Sequence, residues 1–209
     1  MIGPMFTSGE ISWGVANGWT LYGGSVIGGD YNALSVGIGR DLFILGALAF
    51  DVTQSRAVLP SEGTLSGTSY RVSYSKTFDE YDSQVTFAGY RFSERDFMSM
   101  SEYLDTRYGS GTSHSPKEKY TVSFNKRFRD VGLSAYLNYS HQTYWNSADN
   151  DRVSLSLSRY VDLGPFKNMS VSLTAYRSEY YSLKDDGAYI SVSLPIGNGT
   201  SLSYGATIN

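Results

Sequence analysis

The sequence predicts an all-β chain, an antiparallel up-and-down transmembrane β-barrel segment of about twelve strands. Three observations carry that expectation. Apolar and small polar residues alternate with period two along most of the chain. The alternating segments are long enough to cross a bilayer as tilted strands, and the connections between them sort into short and long by parity.

The alternation is clearest where Val153, Leu155 and Leu157 interleave with Ser154, Ser156 and Ser158, and where Val171, Leu173 and Ala175 interleave with Ser170, Ser172 and Thr174. Successive side chains of a strand point to opposite faces, so one face is apolar and the other small and polar. The same pattern sets Tyr70, Val72 and Tyr74 against Arg71, Ser73 and Ser75, and Leu48, Phe50 and Val52 against Asp51 and Thr53. It recurs in Leu133, Ala135, Leu137 and Tyr139 against Ser134, Tyr136, Asn138 and Ser140, in Ile190, Val192 and Leu194 against Ser191 and Ser193, and in Leu202, Tyr204 and Ala206 against Ser201, Ser203 and Gly205. Strands are expected near 5–14, 19–28, 31–40, 46–56, 68–77, 83–93, 119–128, 132–143, 152–160, 169–177, 187–194 and 201–208. Each is close to the ~9–11 residues of a tilted membrane strand, whereas soluble strands average about 5–6.

Short to medium connections are expected at Ala16 to Gly18, Arg40 to Leu45, Phe78 to Asp82, Phe128 to Val131, Val161 to Asn168 and Pro195 to Thr200. The alternate set, Ala57 to Gly67, Glu94 to Glu118, Tyr144 to Asp151 and Ser178 to Asp186, is longer and richer in charge, Ser and Gly. A membrane barrel has this asymmetry, with short turns on the periplasmic side and longer external loops. Aromatics near the strand ends fit girdles at a membrane boundary: Trp19, Tyr22, Tyr144, Trp145 and Tyr160 are the candidates, with Tyr31, Phe78, Tyr81, Phe92, Phe124, Phe128, Phe166, Tyr180 and Tyr181 in similar positions.

Composition removes other classes. The 209 residues carry a net charge of -3 and no cysteine, so a disulfide framework and thiolate metal sites are excluded. The longest apolar run, Leu42 to Phe50, is about half of what a membrane-spanning helix needs. Lys and Arg are scattered rather than clustered, which argues against nucleic acid as a partner. Eighteen Tyr, 10 Phe, 3 Trp and 22 Gly describe a pleated surface interrupted by small residues. No secretory signal is visible in the first residues.

No catalytic constellation emerges. G-x-S-x-G, H-E-x-x-H and P-loop patterns are missing, and the two histidines are His114 and His141. Ser140 and His141 point to opposite faces of a strand and cannot pair as nucleophile and base. Asp149-Asn150-Asp151 and Asp185-Asp186-Gly187 lack the ligand spacing of a calcium loop and read as solvated hairpin tips. No cofactor, metal or catalytic residue is expected. The residues of interest are those on the polar parity, expected to face a wet lumen: Asp51, Thr53, Arg71, Ser73, Ser75, Arg91, Asn125, Arg127, Ser134, Ser154, Ser156, Ser172 and Thr174. Arg91 is assigned inward because a charge facing lipid costs about 2–4 kcal/mol at the midplane, although Val85 and Phe87 share its parity.

Several stretches together resemble the outer-membrane ushers of the chaperone/usher pilus pathway. They are Gly18-Trp19-Thr20-Leu21-Tyr22-Gly23-Gly24, Gly37-Ile38-Gly39, Gly46 to Ser55 with Leu59-Pro60, Gly89-Tyr90-Arg91-Phe92-Ser93, and Ser140 to Asn146, in the order and rough spacing of that family. The resemblance covers nearly the whole chain. It implies that residues 1–209 are a middle section of the usher translocation barrel, C-terminal to the plug and about half of a larger barrel of roughly two dozen strands. It further implies residence in the bacterial outer membrane and translocation of chaperone-delivered pilus subunits. The implied partners are the periplasmic chaperone, the pilus subunits, outer-membrane lipid, the plug and the remaining strands. Counterparts of the chaperone-binding N-terminal domain, the plug and the C-terminal periplasmic domains are not expected here. The alternatives are a complete small barrel acting as a passive porin or adhesive surface protein, and a soluble β-sandwich.

Overall fold

The computed structural model describes residues 5–79, 83–109, 115–164, 166–197 and 200–208. Its strands are β1 (Phe6–Ala16), β2 (Trp19–Gly28), β3 (Tyr31–Asp41), β4 (Ala47–Leu59), β5 (Gly63–Phe78) and β6 (Ser83–Ser93), followed by β7 (Pro116–Phe128), β8 (Leu133–Tyr144), β9 (Asn150–Leu163), β10 (Phe166–Tyr180), β11 (Leu183–Gly197) and β12 (Thr200–Ile208). An α-helix, α1 (Met100–Tyr108), lies between β6 and β7. The strands form a single twelve-stranded sheet in strict sequence order from β1 to β12, with β1 and β12 as its end strands. Among the described residues no helix is long and apolar enough to cross a membrane, which leaves crossing by strands open.

The register follows the alternation. Asp51 lies opposite Gly37 on β3 and Arg71 on β5, while Phe50 lies opposite Ile38 and Val72. Farther along, Ser172 faces Ser158 and Ser191, and Leu173 faces Leu157 and Ile190. Through the middle of β2–β5 and of β9–β11 the apolar set keeps to one side, since a slip of one residue would carry it to the other. That apolar side is solvent-accessible: Ile11, Leu34, Val36, Phe50, Leu155, Ile190 and Leu202 are all exposed. A soluble β-sandwich would pack such a face against a second sheet. Among the described residues the buried hydrophobic cluster is Tyr31, Ala57 and Leu59, on the polar parity at one end of the sheet, with Met98 and Tyr103 from the β6–β7 connection packed on them.

Turn chemistry explains the short side. Asn17 and Gly18, with φ of 49° and 78°, form the two-residue link between β1 and β2, the left-handed pair that a tight hairpin requires. The opposite side differs from expectation. Ala57 to Gly67 and Ser178 to Asp186 are not loops: β4 and β5 run 13 and 16 residues and meet at Pro60 to Glu62, and β10 and β11 run 15 residues each and meet at Tyr181-Ser182. Ladder pairing continues through Arg177↔Asp186, Ser178↔Asp185, Glu179↔Lys184 and Tyr180↔Leu183. Backbone hydrogen bonds and cross-strand charge pairs hold these polar ends as strand where composition alone reads as loop. The long connection is therefore the one carrying α1. His114 and Tyr81 lie outside the described residues.

By its internal packing the chain divides into two compact units, residues 1–75, 88–120 and 142–149 in the first and 76–87, 121–141 and 150–209 in the second.

Candidate functional site

In the first unit the polar face centres on one row across four strands. Tyr22, Gly37, Asp51 and Arg71 are opposite one another on β2, β3, β4 and β5. With no side chain at Gly37, the Tyr22 ring lies across β3, and a Cβ there would overlap it. The Tyr22 hydroxyl donates to Asp51 Oδ2 at 3.0 Å, and Arg71 Nε donates to the same oxygen at 2.8 Å with Nη2 at 2.7 Å. Asp51 is only 5% exposed, so its charge is neutralised locally by donors on two strands.

The neighbouring row consists of hydroxyl pairs. Thr53 Oγ1 donates to Ser35 Oγ at 2.9 Å, and Ser69 and Ser93 share a buried hydrogen bond at 3.0 Å. Ser93 thus shares the face of Ser69, and strand alternation carries Arg91 to that face as well. Ser73 and Ser75 continue it opposite Ala49 and Ala47. The second unit repeats the device: Ser156 pairs with Thr174 at 3.0 Å, Ser172 with Ser191, and Ser203 with Ser193 at 3.2 Å. Ser154 lies opposite Tyr176, whose ring covers Gly187 as the Tyr22 ring covers Gly37, and Tyr189 covers Gly205 in the same manner. Asn125, Arg127 and Ser134 stand on the opposite parity to the exposed Val122, Phe124 and Leu137 on their own strands. The resulting surface is small, polar and hydrogen-bonded within itself.

At the far end of β3–β5 this face is covered by chain from the long connection. The α1 helix starts in a capping box, the Ser99 hydroxyl accepting from Glu102 N and the Ser99 N–H donating to Glu102 Oε2 at 2.7 Å. Tyr103 packs on Tyr31 with ring centroids 5.3 Å apart. Met98 N donates to Ser55 Oγ at 3.1 Å, and the Tyr31 hydroxyl donates to the Met98 carbonyl at 3.0 Å. Arg107 pairs with Asp30 and donates to the Val58 carbonyl at 3.3 Å and to the Tyr103 hydroxyl at 2.7 Å. The Asp30 carboxylate holds the Arg107 guanidinium above its ordinary value. Gly67, opposite Ser55, is needed because the Asp96–Phe97 backbone passes where a Cβ would sit.

Neither α1 nor its docking onto the polar face follows from the alternation. Two signals precede it, however: the Ser99-x-x-Glu102 box, and apolar Tyr31, Ala57 and Leu59 on the polar parity.

The boundary aromatics separate. Trp19 opens β2 on the apolar side, with Arg40 over its ring at 4.7 Å, and Tyr144 ends β8. Tyr22, also near the start of β2, has its hydroxyl bound to Asp51 in the polar row. Tyr160, 75% exposed, lies opposite Ser170 on the polar face. Trp145 belongs to the connections: its Nε1 donates to the Ser93 carbonyl at 3.0 Å, Phe92 meets it edge-on and Lys117 sits over it. The partners of Tyr22 and Trp145 come from other strands and connections, which position near a strand end does not reveal. His141 Nδ1 and the Tyr139 hydroxyl both meet Asp151 Oδ1, at 2.8 and 3.0 Å. Among the described residues no cluster of three or more His, Cys, Asp or Glu forms a metal site.

The paired hydroxyls and the Asp51–Arg71 pair make a polar wall that can border water. The comparisons give that wall its family. The Usher family, outer membrane usher protein, matches residues 1–209. YfcU of Escherichia coli K12 is 49% identical over 208 residues, 97% of this chain and 24% of that protein. The outer membrane usher protein PapC of Escherichia coli is 47% identical over 99% of this chain and 25% of its own length. PmfC of Proteus mirabilis is 40% identical over 98% and 25%. The chain thus spans about a quarter of the length of these relatives. Among solved structures, the PapC translocation pore superposes with a TM-score of 0.66 at 44% identity, covering 99% of this chain and 42% of that one. A PapC-PapD-PapK-PapG tip assembly intermediate gives 0.69 at 44% identity, covering 99% and 25%. The chain belongs to the outer membrane usher family, as an all-β, transmembrane-barrel part of it resident in the outer membrane.

Proposed function

We propose that residues 1–209 form one segment of the usher pore wall, following the plug in the full-length protein, through which chaperone-delivered pilus subunits leave the periplasm. The observation that carries this reading is the one-sidedness of the sheet: paired hydroxyls and the Asp51–Arg71 ion pair on one face, exposed aliphatics on the other. On this reading the polar face is the lumen. Asp51, Thr53, Arg71, Ser73, Ser75, Arg91, Asn125, Arg127, Ser134, Ser154, Ser156, Ser172 and Thr174 then line it. Trp19 and Tyr144 mark the membrane boundary.

The solved PapC assembly that this chain resembles contains PapD, PapK and PapG. By analogy the partners here are a periplasmic chaperone and pilus subunits, met through the full-length usher, with the plug and the remaining strands completing the pore. Small, self-bonded hydroxyls offer a moving protein few strong contacts, which suits passage rather than retention. The wall's role is transport without bond-making chemistry.

The test is surface piliation by cells whose sole usher either contains these residues or lacks them. Loss of pili without the segment supports the assignment. Normal piliation without it removes the assignment.

A further inference from the structure

We propose that the apolar side of β9–β12 binds one phosphorylated glycolipid of the outer leaflet, lipopolysaccharide, with an acyl chain seated in a trough floored by Ala175 and Ala188 and a phosphate held by Arg177. The proposal rests on the reading that this side faces lipid.

The trough follows from register. Leu155, Ala175, Ala188 and Ile208 form one row across four strands, with large residues at its ends and two alanines between them. Val153 adds to one wall, and the row on the short-turn side is Leu157, Leu173 and Ile190. The hollow left above the alanines measures about 520 Å³. A sheet side that merely contacts disordered acyl chains gains nothing from two facing alanines, whereas a seated chain fills the gap and recovers dispersion contacts.

The row toward the Tyr181-Ser182 turn supplies polar chemistry. Arg177 Nε and Nη2 donate to Asp186 Oδ1 and Oδ2 at 2.7 and 2.8 Å, and both residues line the hollow. Two N–H groups of the guanidinium are used in this way, and the rest of its planar fork can donate to phosphate oxygens. Glu179 and Lys184 form the next pair outward, so Lys184 lies diagonally across from Arg177 on the same side. Asp186 and Glu179 balance the two cations, which keeps the charge cost at a membrane interface low until a phosphate arrives. This end carries the α1 connection and is the external end of a membrane barrel, which sets the leaflet. An acyl trough ending at an Arg–Lys pair at that level matches an acylated, phosphorylated glycolipid.

The experiment uses the full-length usher containing this segment, extracted from outer membranes in mild detergent, with retained lipid identified by mass spectrometry. Heat-modifiable migration verifies folding of each variant. Ala188→Phe fills the trough, Arg177→Gln removes the cation, Arg177→Lys keeps the charge, and Val171→Phe adds bulk two rows away. Lipopolysaccharide retained on the parent and on Val171→Phe, about tenfold lower on Ala188→Phe and Arg177→Gln, and partly restored by Arg177→Lys supports the proposal. Equal retention by all variants, or retention of a phospholipid instead, overturns it. A Leu173→Trp reporter in vesicles of brominated lipid separates the two levels. Quenching with no trough-dependent retention overturns the site alone, and no quenching overturns the lipid-facing reading together with it.

Discussion

The Tyr22 hydroxyl reaches Asp51 from two strands away because Gly37, the residue between them, leaves its side of β3 open to the ring. The same carboxylate oxygen binds Arg71 from the other direction, so a single buried acid joins β2, β4 and β5. Removing the acid leaves an uncompensated guanidinium and phenol on the polar face. Asp51→Ala is expected to cost about 1–3 kcal/mol and Tyr22→Phe about 0.5–1.5 kcal/mol, measured as a drop in the temperature at which the full-length barrel loses heat-modifiable migration. Asp51→Ala combined with Arg71→Ala is expected to cost less than the sum of the two single changes, since the second removes the charge that the first orphans.

Gly37 gives a sharper prediction, because its role is steric. Gly37→Val is expected to displace the Tyr22 ring and lower the same transition temperature by at least as much as Tyr22→Ala. The double variant Tyr22→Ala with Gly37→Val should recover most of the loss. Additive losses in the double variant would show that the ring does not need this space.

The α1 connection is held by the capping box, the Tyr31–Tyr103 contact and Arg107 on Asp30. If the polar face is the lumen, α1 sits in the pore mouth. Ser99→Ala is expected to weaken the helix start by about 1 kcal/mol. Tyr103→Ala removes a buried ring from a five-residue cluster and should loosen the segment more. Both changes should raise spontaneous channel openings of the full-length usher in planar bilayers, Tyr103→Ala more than Ser99→Ala. Unchanged openings in both would show that α1 does not border the conducting path.

Tyr181 and Ser182 join β10 and β11 with φ of 51° and 61°, a conformation that Asn and Gly adopt more easily. Tyr181→Asn with Ser182→Gly is expected to stabilise this hairpin by up to about 1 kcal/mol, read as slower amide exchange at Tyr180 and Leu183.

The central strands were legible because a strand's side-chain period of two is imposed by backbone geometry, and both faces of this sheet use residues that obey it: Leu155 against Ser156, Leu173 against Thr174. Strand ends were less so. Glu179, Lys184 and Asp186 read as a charged loop, yet Glu179 pairs with Lys184 and Asp186 with Arg177 across β10 and β11, and pairing is a property of two segments that neither shows alone. The surroundings of Tyr22 are illegible for a similar reason: its neighbours in sequence suggest a strand end, and its partners Gly37 and Asp51 come from other strands. The docking of α1 depends on Gly67 leaving room for the Asp96–Phe97 backbone, a contact between residues about thirty apart that no local pattern encodes.

The central claim is the division of the sheet into a lumen face and a lipid face, and the absence of cysteine from these residues makes it directly measurable. Single cysteines placed at positions 153 to 158 and 171 to 174 of the full-length usher, in outer-membrane vesicles, would be exposed to a charged thiol reagent that does not enter lipid. The account predicts labelling at Ser154, Ser156, Ser158, Ser172 and Thr174 and protection at Val153, Leu155, Leu157, Val171 and Leu173. Labelling with the opposite parity, or equally at every position, would contradict it.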